Sequence, residues 1–176
     1  MKKRLTWLMS IAIIAATLGL MAFAPLSQPA SPAPLPTRIP RTGEQLNQQM
    51  ADFLMREQNW LQRQTIQLNN ANQLAVQTQK LITAAQANGF DTSSLSAALA
   101  TLNTQIAAAQ PLHAQAASIL SAKNGFDANN QVTDYQTART TLVDARSALH
   151  QAGLDLQNGI LALRTVVNQW RLSHNI

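Results

Sequence analysis

Residues 46–91 read LNQQMADFLMREQNWLQRQTIQLNNANQLAVQTQKLITAAQANGFD, and their apolar side chains recur every seven positions. Leu54, Leu61, Leu68, Ala75 and Ile82 form one row, and Leu46, Phe53, Trp60, Leu74 and Leu81 a second that is broken by Gln67. A third row of the same stripe holds Met50, Ala71 and Ala85, with Glu57, Gln64 and Thr78 as polar interruptions. A heptad row sustained for about five periods predicts one long helix packed in a bundle or coiled coil. The helix should stop at Asn88-Gly89, because glycine takes the left-handed conformation after a helix end at no steric cost. Asp91 is then placed as the next N-cap, with Phe90 and Leu95 positioned to form a hydrophobic staple across the turn.

The same tetrapeptide, Asn-Gly-Phe-Asp, returns at 124–127 and predicts a second stop at Gly125. Between the stops Leu95, Leu99, Leu102, Ile106, Ala109, His113, Ala116 and Leu120 alternate spacings of four and three. Pro111 interrupts that pattern chemically but not in phase, so a bend is expected rather than two helices. A third helix, capped by Asp134, carries Tyr135, Ala138, Leu142, Ala145, Leu149, Ala152, Leu156, Gly159, Leu163, Val166 and Trp170 at the same spacing. Short connections make sequential helices antiparallel. The reading is all-α: an elongated antiparallel three-helix bundle, coiled-coil-like, with helices over about 43–88, 92–124 and 134–172. Aligned from the first turn, it puts Trp60, Leu120 and Tyr135 together at one end and Trp170 against Ala85 and Leu95 at the other.

The bundle, residues 42–176, follows two segments of different composition. Lys2, Lys3 and Arg4 precede an uncharged apolar run from Leu5 to Ala24, the pattern of an export signal over residues 1–24. Ala22-Phe23-Ala24 has the form of a cleavage site, but Pro25 follows it and would hinder a peptidase that needs an extended substrate. An uncleaved anchor is therefore preferred to a secreted product, with residues 5–24 long enough to span a bilayer core of about 30 Å. Residues 25–41 are a Pro-rich linker; in polyproline geometry, at about 3.1 Å per residue, it would reach roughly 50 Å. The expected location is extracytoplasmic and membrane-anchored.

The chain has 13 basic and 8 acidic residues, a formal charge of +5, and no cysteine. Disulfides, thiolate metal sites and cysteine nucleophiles are excluded. The positive excess lies before residue 42; beyond it eight cations balance eight anions, a dispersed pattern that argues against nucleic acid. There is no phosphate loop, no Ser/His/Asp arrangement in a turn and no Glu-x-x-His pair, so no enzyme and no cofactor is expected. His113 and His150 fall at similar heights with Gln64 and Gln67 nearby, a set that could hold zinc or copper. Residues 127–134 alternate oxygen-bearing side chains like a calcium loop, but Val132 replaces the required glycine and Ala138 the bidentate glutamate. Val132-Thr133-Asp134-Tyr135-Gln136 resembles, in a single degenerate copy, the Leu-Thr-x-x-Gln signature of small helical periplasmic stress proteins with chaperone activity.

About a quarter of residues 42–176 are Gln or Asn, amides that stay uncharged at every pH and would suit hydrogen bonding to a cell-wall glycan. Glu57 and Gln64, polar within an apolar stripe, suit a partner helix or a self-association seam. Glu57 and Lys123 fall at similar heights and are expected to form an ion pair. Together these readings describe a structural spacer or protein-interaction scaffold of the cell envelope. The alternative is an extracytoplasmic ligand- or metal-binding sensor or chaperone-like bundle.

Overall fold

A computed structural model describes residues 43–174; the expected export segment and linker, residues 1–24 and 25–41, lie outside them. The described residues form three helices: α1, Gly43–Ala87; α2, Ser93–Ala122; and α3, Tyr135–Ser173. They contain no strand beyond one bridged pair, Phe126 with Val132. None of these helices is long and apolar enough to cross a membrane. At about 1.5 Å per residue the longest, α1, measures about 68 Å. Trp170 at the end of α3 donates its indole N–H to the carbonyl of Asp91, just before α2, at 2.7 Å. The Thr141 hydroxyl, early in α3, donates to the carbonyl of Asn124, just after α2, at 2.9 Å. α2 is therefore antiparallel to α3. Contacts of Glu57 with Arg146 and of Gln64 with Leu149 set α1 parallel to α3, which gives an up-down-up three-helix bundle.

The row of α1 that carries the polar interruptions is its most deeply placed. Met50, Glu57, Gln64, Ala71, Thr78 and Ala85 are all buried, whereas Phe53, Trp60, Gln67 and Leu74 of the second row are only half-buried. The core falls into two apolar clusters. One holds Leu68, Leu81, Leu95, Leu102, Leu156, Leu163 and Trp170, and closes the end at the first turn. The other holds Met50, Leu54, Leu120, Phe126, Leu142 and Leu149 at the opposite end. Burial of such side chains contributes about 1.5–3 kcal/mol each and is the main term holding the fold. α2 and α3 approach closely through small residues. A Cβ added to Gly159 would lie 3.0 Å from Gln105 Cβ and 3.1 Å from Leu102 Cδ1. α2 runs unbroken through Pro111, which is exposed, as is Ala107, whose carbonyl loses its helical donor there and can turn to water.

The two Asn-Gly-Phe-Asp segments fold differently. In the first, Gly89 has φ +78° and the Phe90 amide returns to the carbonyl of Ala85 at 3.1 Å. Phe90 packs on the cluster that contains Leu95. Asp91 is not the N-cap; Thr92 is, with its hydroxyl accepting from the Gln86 amide at 3.0 Å. Asp91 instead accepts the Ser93 amide at 2.9 Å in a turn one residue earlier. In the second, Lys123 itself takes the left-handed conformation, φ 49°, so α2 ends at Ala122, ahead of the glycine. Gly125, φ +83°, accepts from the amides of both Thr133 and Asp134, at 2.9 and 3.3 Å. Asp134 caps α3 by accepting the Thr137 amide at 3.0 Å.

One expected alignment shifts. Tyr135 stands beside Met50 and Phe53 rather than Trp60. Thr141 is level with Asn124, so the first turns of α3 project past the end of α2 and reach an earlier part of α1. His174, just past the end of α3, packs edge-on to Phe90 at 5.1 Å and lies 4.6 Å from the Trp170 ring.

The glycines should separate under substitution. A Cβ on Gly89 meets nothing within 4 Å, whereas one on Gly125 would lie 2.2 Å from the Ala138 nitrogen and 2.8 Å from the Asp134 oxygen. Gly89→Ala should cost about 1 kcal/mol, the left-handed penalty alone. Gly125→Ala should cost more than about 3 kcal/mol, because backbone must move. Chemical denaturation of both variants, read by helicity, checks the difference.

Candidate functional site

One polar layer separates the two apolar clusters. Gln64, fully buried, donates from Nε2 to the carbonyl of Leu149 on α3 at 2.8 Å. Its Oε1 lies 3.1 Å from Nδ1 of the half-buried His113 on α2. Because the amide nitrogen is committed to Leu149, Oε1 can only accept, so His113 Nδ1 carries a proton. His113 Nε2 lies 3.2 Å from the Thr65 hydroxyl, which is also 3.1 Å from the carbonyl of Leu61. With a neutral ring Thr65 donates to Nε2; with a charged ring Nε2 donates to Thr65 and the hydroxyl proton turns to Leu61. Burial holds His113 below its ordinary value of 6.5 and favours the neutral form.

This layer places three residues singled out from the sequence. Gln64 faces inward and both ends of its amide are engaged within the bundle. Both ring nitrogens of His113 face protein oxygens, so a metal would have to displace one of them. His150 follows Leu149 on α3 and is exposed. Among the described residues no three His, Cys, Asp or Glu side chains are grouped to hold a metal ion. In the 127–134 loop, Asp127 Oδ1 accepts the amides of Asn129 and Gln131, each at 2.8 Å. Lys123 Nζ lies 2.6 Å from Asn130 Oδ1. These contacts tie the loop to itself.

About two turns before Gln64, the buried row meets Glu57, and here a groove of about 250 Å³ lies between α1 and α3. Met50, Phe53 and Glu57 form its α1 wall; Tyr135, Arg139, Leu142, Val143 and Arg146 form its α3 wall. The Glu57 side chain is 7% exposed; its Oε1 lies 4.0 Å from Arg146, not Lys123, and its Oε2 is buried with no hydrogen-bond partner among the described residues. Lys123 turns to Asn130 because its loop folds toward α3. Burial raises the Glu57 carboxyl above its ordinary 4.5, against a smaller opposing pull from Arg146. Arg56 stacks over the Phe53 ring at 5.5 Å on the α1 lip.

The fold gathers charges that look dispersed along the chain. Of the eight Lys and Arg among the described residues, four are the arginines of α3 and two are Arg56 and Arg63 of α1. Arg139 and Arg146 are seven apart, as are Arg164 and Arg171, and the 18 residues between the pairs are five turns of helix. All four therefore lie in one row on the groove side of α3, over about 48 Å. Asp144 and Asp155 fall about 160° round the helix from that row. Arg56 and Arg63, also seven apart, continue the opposite lip. The thirty residues of α2 contain no Lys, Arg, Asp or Glu. No family model matches this chain, and neither the curated proteins nor the solved structures include a match to it.

The buried titratable groups respond to acid in opposite senses. Glu57 has a raised folded value, so its stabilising contribution is full below pH 4.5 and is lost as pH rises through that value. His113 has a lowered one, so its contribution is full above pH 6.5 and is lost as pH falls through the folded value. Glu57→Gln should raise the Tm by a few degrees at neutral pH and by progressively less toward about pH 4. Tm measured across that range for wild type and variant checks the sign. In the polar layer, Gln64→Leu should cost about 2 kcal/mol by leaving His113 Nδ1 without its acceptor. His113→Leu added to it should recover part of that loss, which a double-mutant cycle would measure.

Proposed function

We propose that this chain is an exported, membrane-tethered helical module that acts as a spacer and protein-interaction scaffold in the cell envelope. The basic N-terminus, the apolar run 5–24 and the Pro-rich linker support export and tethering. The elongated, coiled-coil-like character follows from helices of 45, 30 and 39 residues with heptad-spaced cores. The observation that carries the scaffold reading is the α1–α3 groove, whose apolar and aromatic walls stand between two lips of arginine. A largely apolar groove, with Glu57 buried in its α1 wall and arginines along its edges, suits a protein surface of opposite charge, with apolar contacts for affinity and charge for selection. A cell-wall glycan would use the amide-rich outer faces instead, through neutral hydrogen bonds.

Fractionation of cells that express the full chain with a C-terminal tag tests the tether. The tag should pellet with membranes, resist alkaline extraction and be digestible from outside the cytoplasmic membrane. Recovery from the cytoplasm or, as a shortened chain, from the medium would overturn the tethered reading.

A further inference from the structure

The groove is bordered on both sides by arginines whose repeat is that of a helix pair. Arg56 and Arg63 stand seven apart on the α1 lip, and Arg139 and Arg146 stand seven apart on the α3 lip. Glu57 reaches Arg146 and Gln64 reaches Leu149, so the two pairs overlap across the groove with a stagger of about one helical turn. Arg164 and Arg171 repeat the spacing farther along α3. Between the lips, Phe53 and Trp60 of α1 are half-buried, and Tyr135 and Val143 of α3 are 43% and 56% exposed. In helix pairs, apolar seam residues are flanked by charges that recur every heptad and choose the partner by sign.

We infer that the α1–α3 groove receives a fourth helix from a different protein, an amphipathic helix whose apolar stripe is flanked by heptad-spaced Glu or Asp. The inference deepens the scaffold reading and rests on it. Successive acidic residues seven apart on one side of a helix are separated by about 10.5 Å, which matches the repeat of the arginine pairs. Lipid headgroups and flexible polyanions have no such period. All of the bordering cations are arginines, whose planar fork bonds a carboxylate through two parallel N–H groups.

The acidic positions of the chain argue against a second copy as the occupant. Outside the turns they are Glu44, Asp52, Glu57, Asp144 and Asp155, and no two of these are seven apart. Glu57 is buried, and Asp52 lies one turn before Arg56 on the same lip. Two copies meeting at this face would set arginine against arginine.

The test uses the full chain in micelles of a neutral detergent and two designed amphipathic helices of about four heptads. Both carry a leucine stripe; one has glutamate at the flanking positions and the other lysine. The Glu-flanked helix should bind at least about tenfold more tightly than the Lys-flanked one, and raising the salt should weaken it. The double variant Arg139→Gln/Arg146→Gln should lose about tenfold in affinity while keeping its helicity, with a somewhat lower Tm because Arg146 no longer faces the buried Glu57. Arg56→Gln/Arg63→Gln on the other lip, on exposed side chains, should do the same and guards against misfolding of the first. Equal binding of the two helices, or binding unaffected by both double variants, would overturn the inference. So would arginine-dependent binding to anionic phospholipid vesicles without binding of the Glu-flanked helix, or concentration-dependent dimerisation lost in the variants. Recovery of the chain in the cytoplasm would sink the envelope reading alone and leave the peptide result standing, so the two failures are distinguishable.

Discussion

The amide of Gln64 is the point at which all three helices are held in register. One end bonds a backbone carbonyl of α3 and the other a ring nitrogen of α2, from a side chain that is fully buried on α1. A buried polar group left unpaired costs about 1–3 kcal/mol, so any slip of α1 by a heptad would expose this layer to that penalty. The apolar rows on either side carry no such discrimination, since Leu54, Leu61 and Leu68 are interchangeable under a seven-residue shift. The single polar layer thus does for this bundle what a buried polar residue does in a coiled coil, giving up some stability for a unique alignment.

From that register the division of labour among the helices follows. α2 and α3 lie against each other through Gly159 and a run of buried alanines, which allow close backbone approach. α1 presents larger and more polar residues to the bundle and closes less completely. Phe53, Trp60 and Leu74 stay half-buried, Glu57 is enclosed without full hydrogen bonding, and a groove opens toward α3. The same helix therefore supplies both the specificity of the core and the incomplete face. At the first-turn end, Trp170 closes the bundle with an indole bond to Asp91 and ring contacts to Phe90 and His174. At the other end, the backbone of Gly125 gathers the second loop beneath the start of α3.

Much of the architecture was legible in the chain because its signals are local and periodic. Heptad rows report which face of a helix is buried, and Gly89, Gly125 and Asp134 mark the turns through backbone preferences that do not depend on the rest of the fold. Less was legible at the turns themselves. Two copies of Asn-Gly-Phe-Asp look alike in sequence, yet one joins α1 directly to α2 and the other enters a longer loop. What separates them is the length of chain before the next apolar stripe, together with the close packing of Gly125 on Ala138. The register of Tyr135 against α1 was missed for a related reason, since periodicity says nothing about how far a loop lets the next helix overshoot.

The sequence by itself determined three helices, their buried stripes, the polar positions within those stripes, and the signal-like and Pro-rich composition ahead of them. Each follows from side-chain chemistry at a fixed helical spacing. Tertiary structure alone decided that Gln64 would find both its partners, that Glu57 would meet Arg146, and that arginines from two helices would border one groove. Those outcomes depend on the rotation and offset of one helix against another. Rotation and offset are set by packing between residues dozens of positions apart, and no local pattern encodes them.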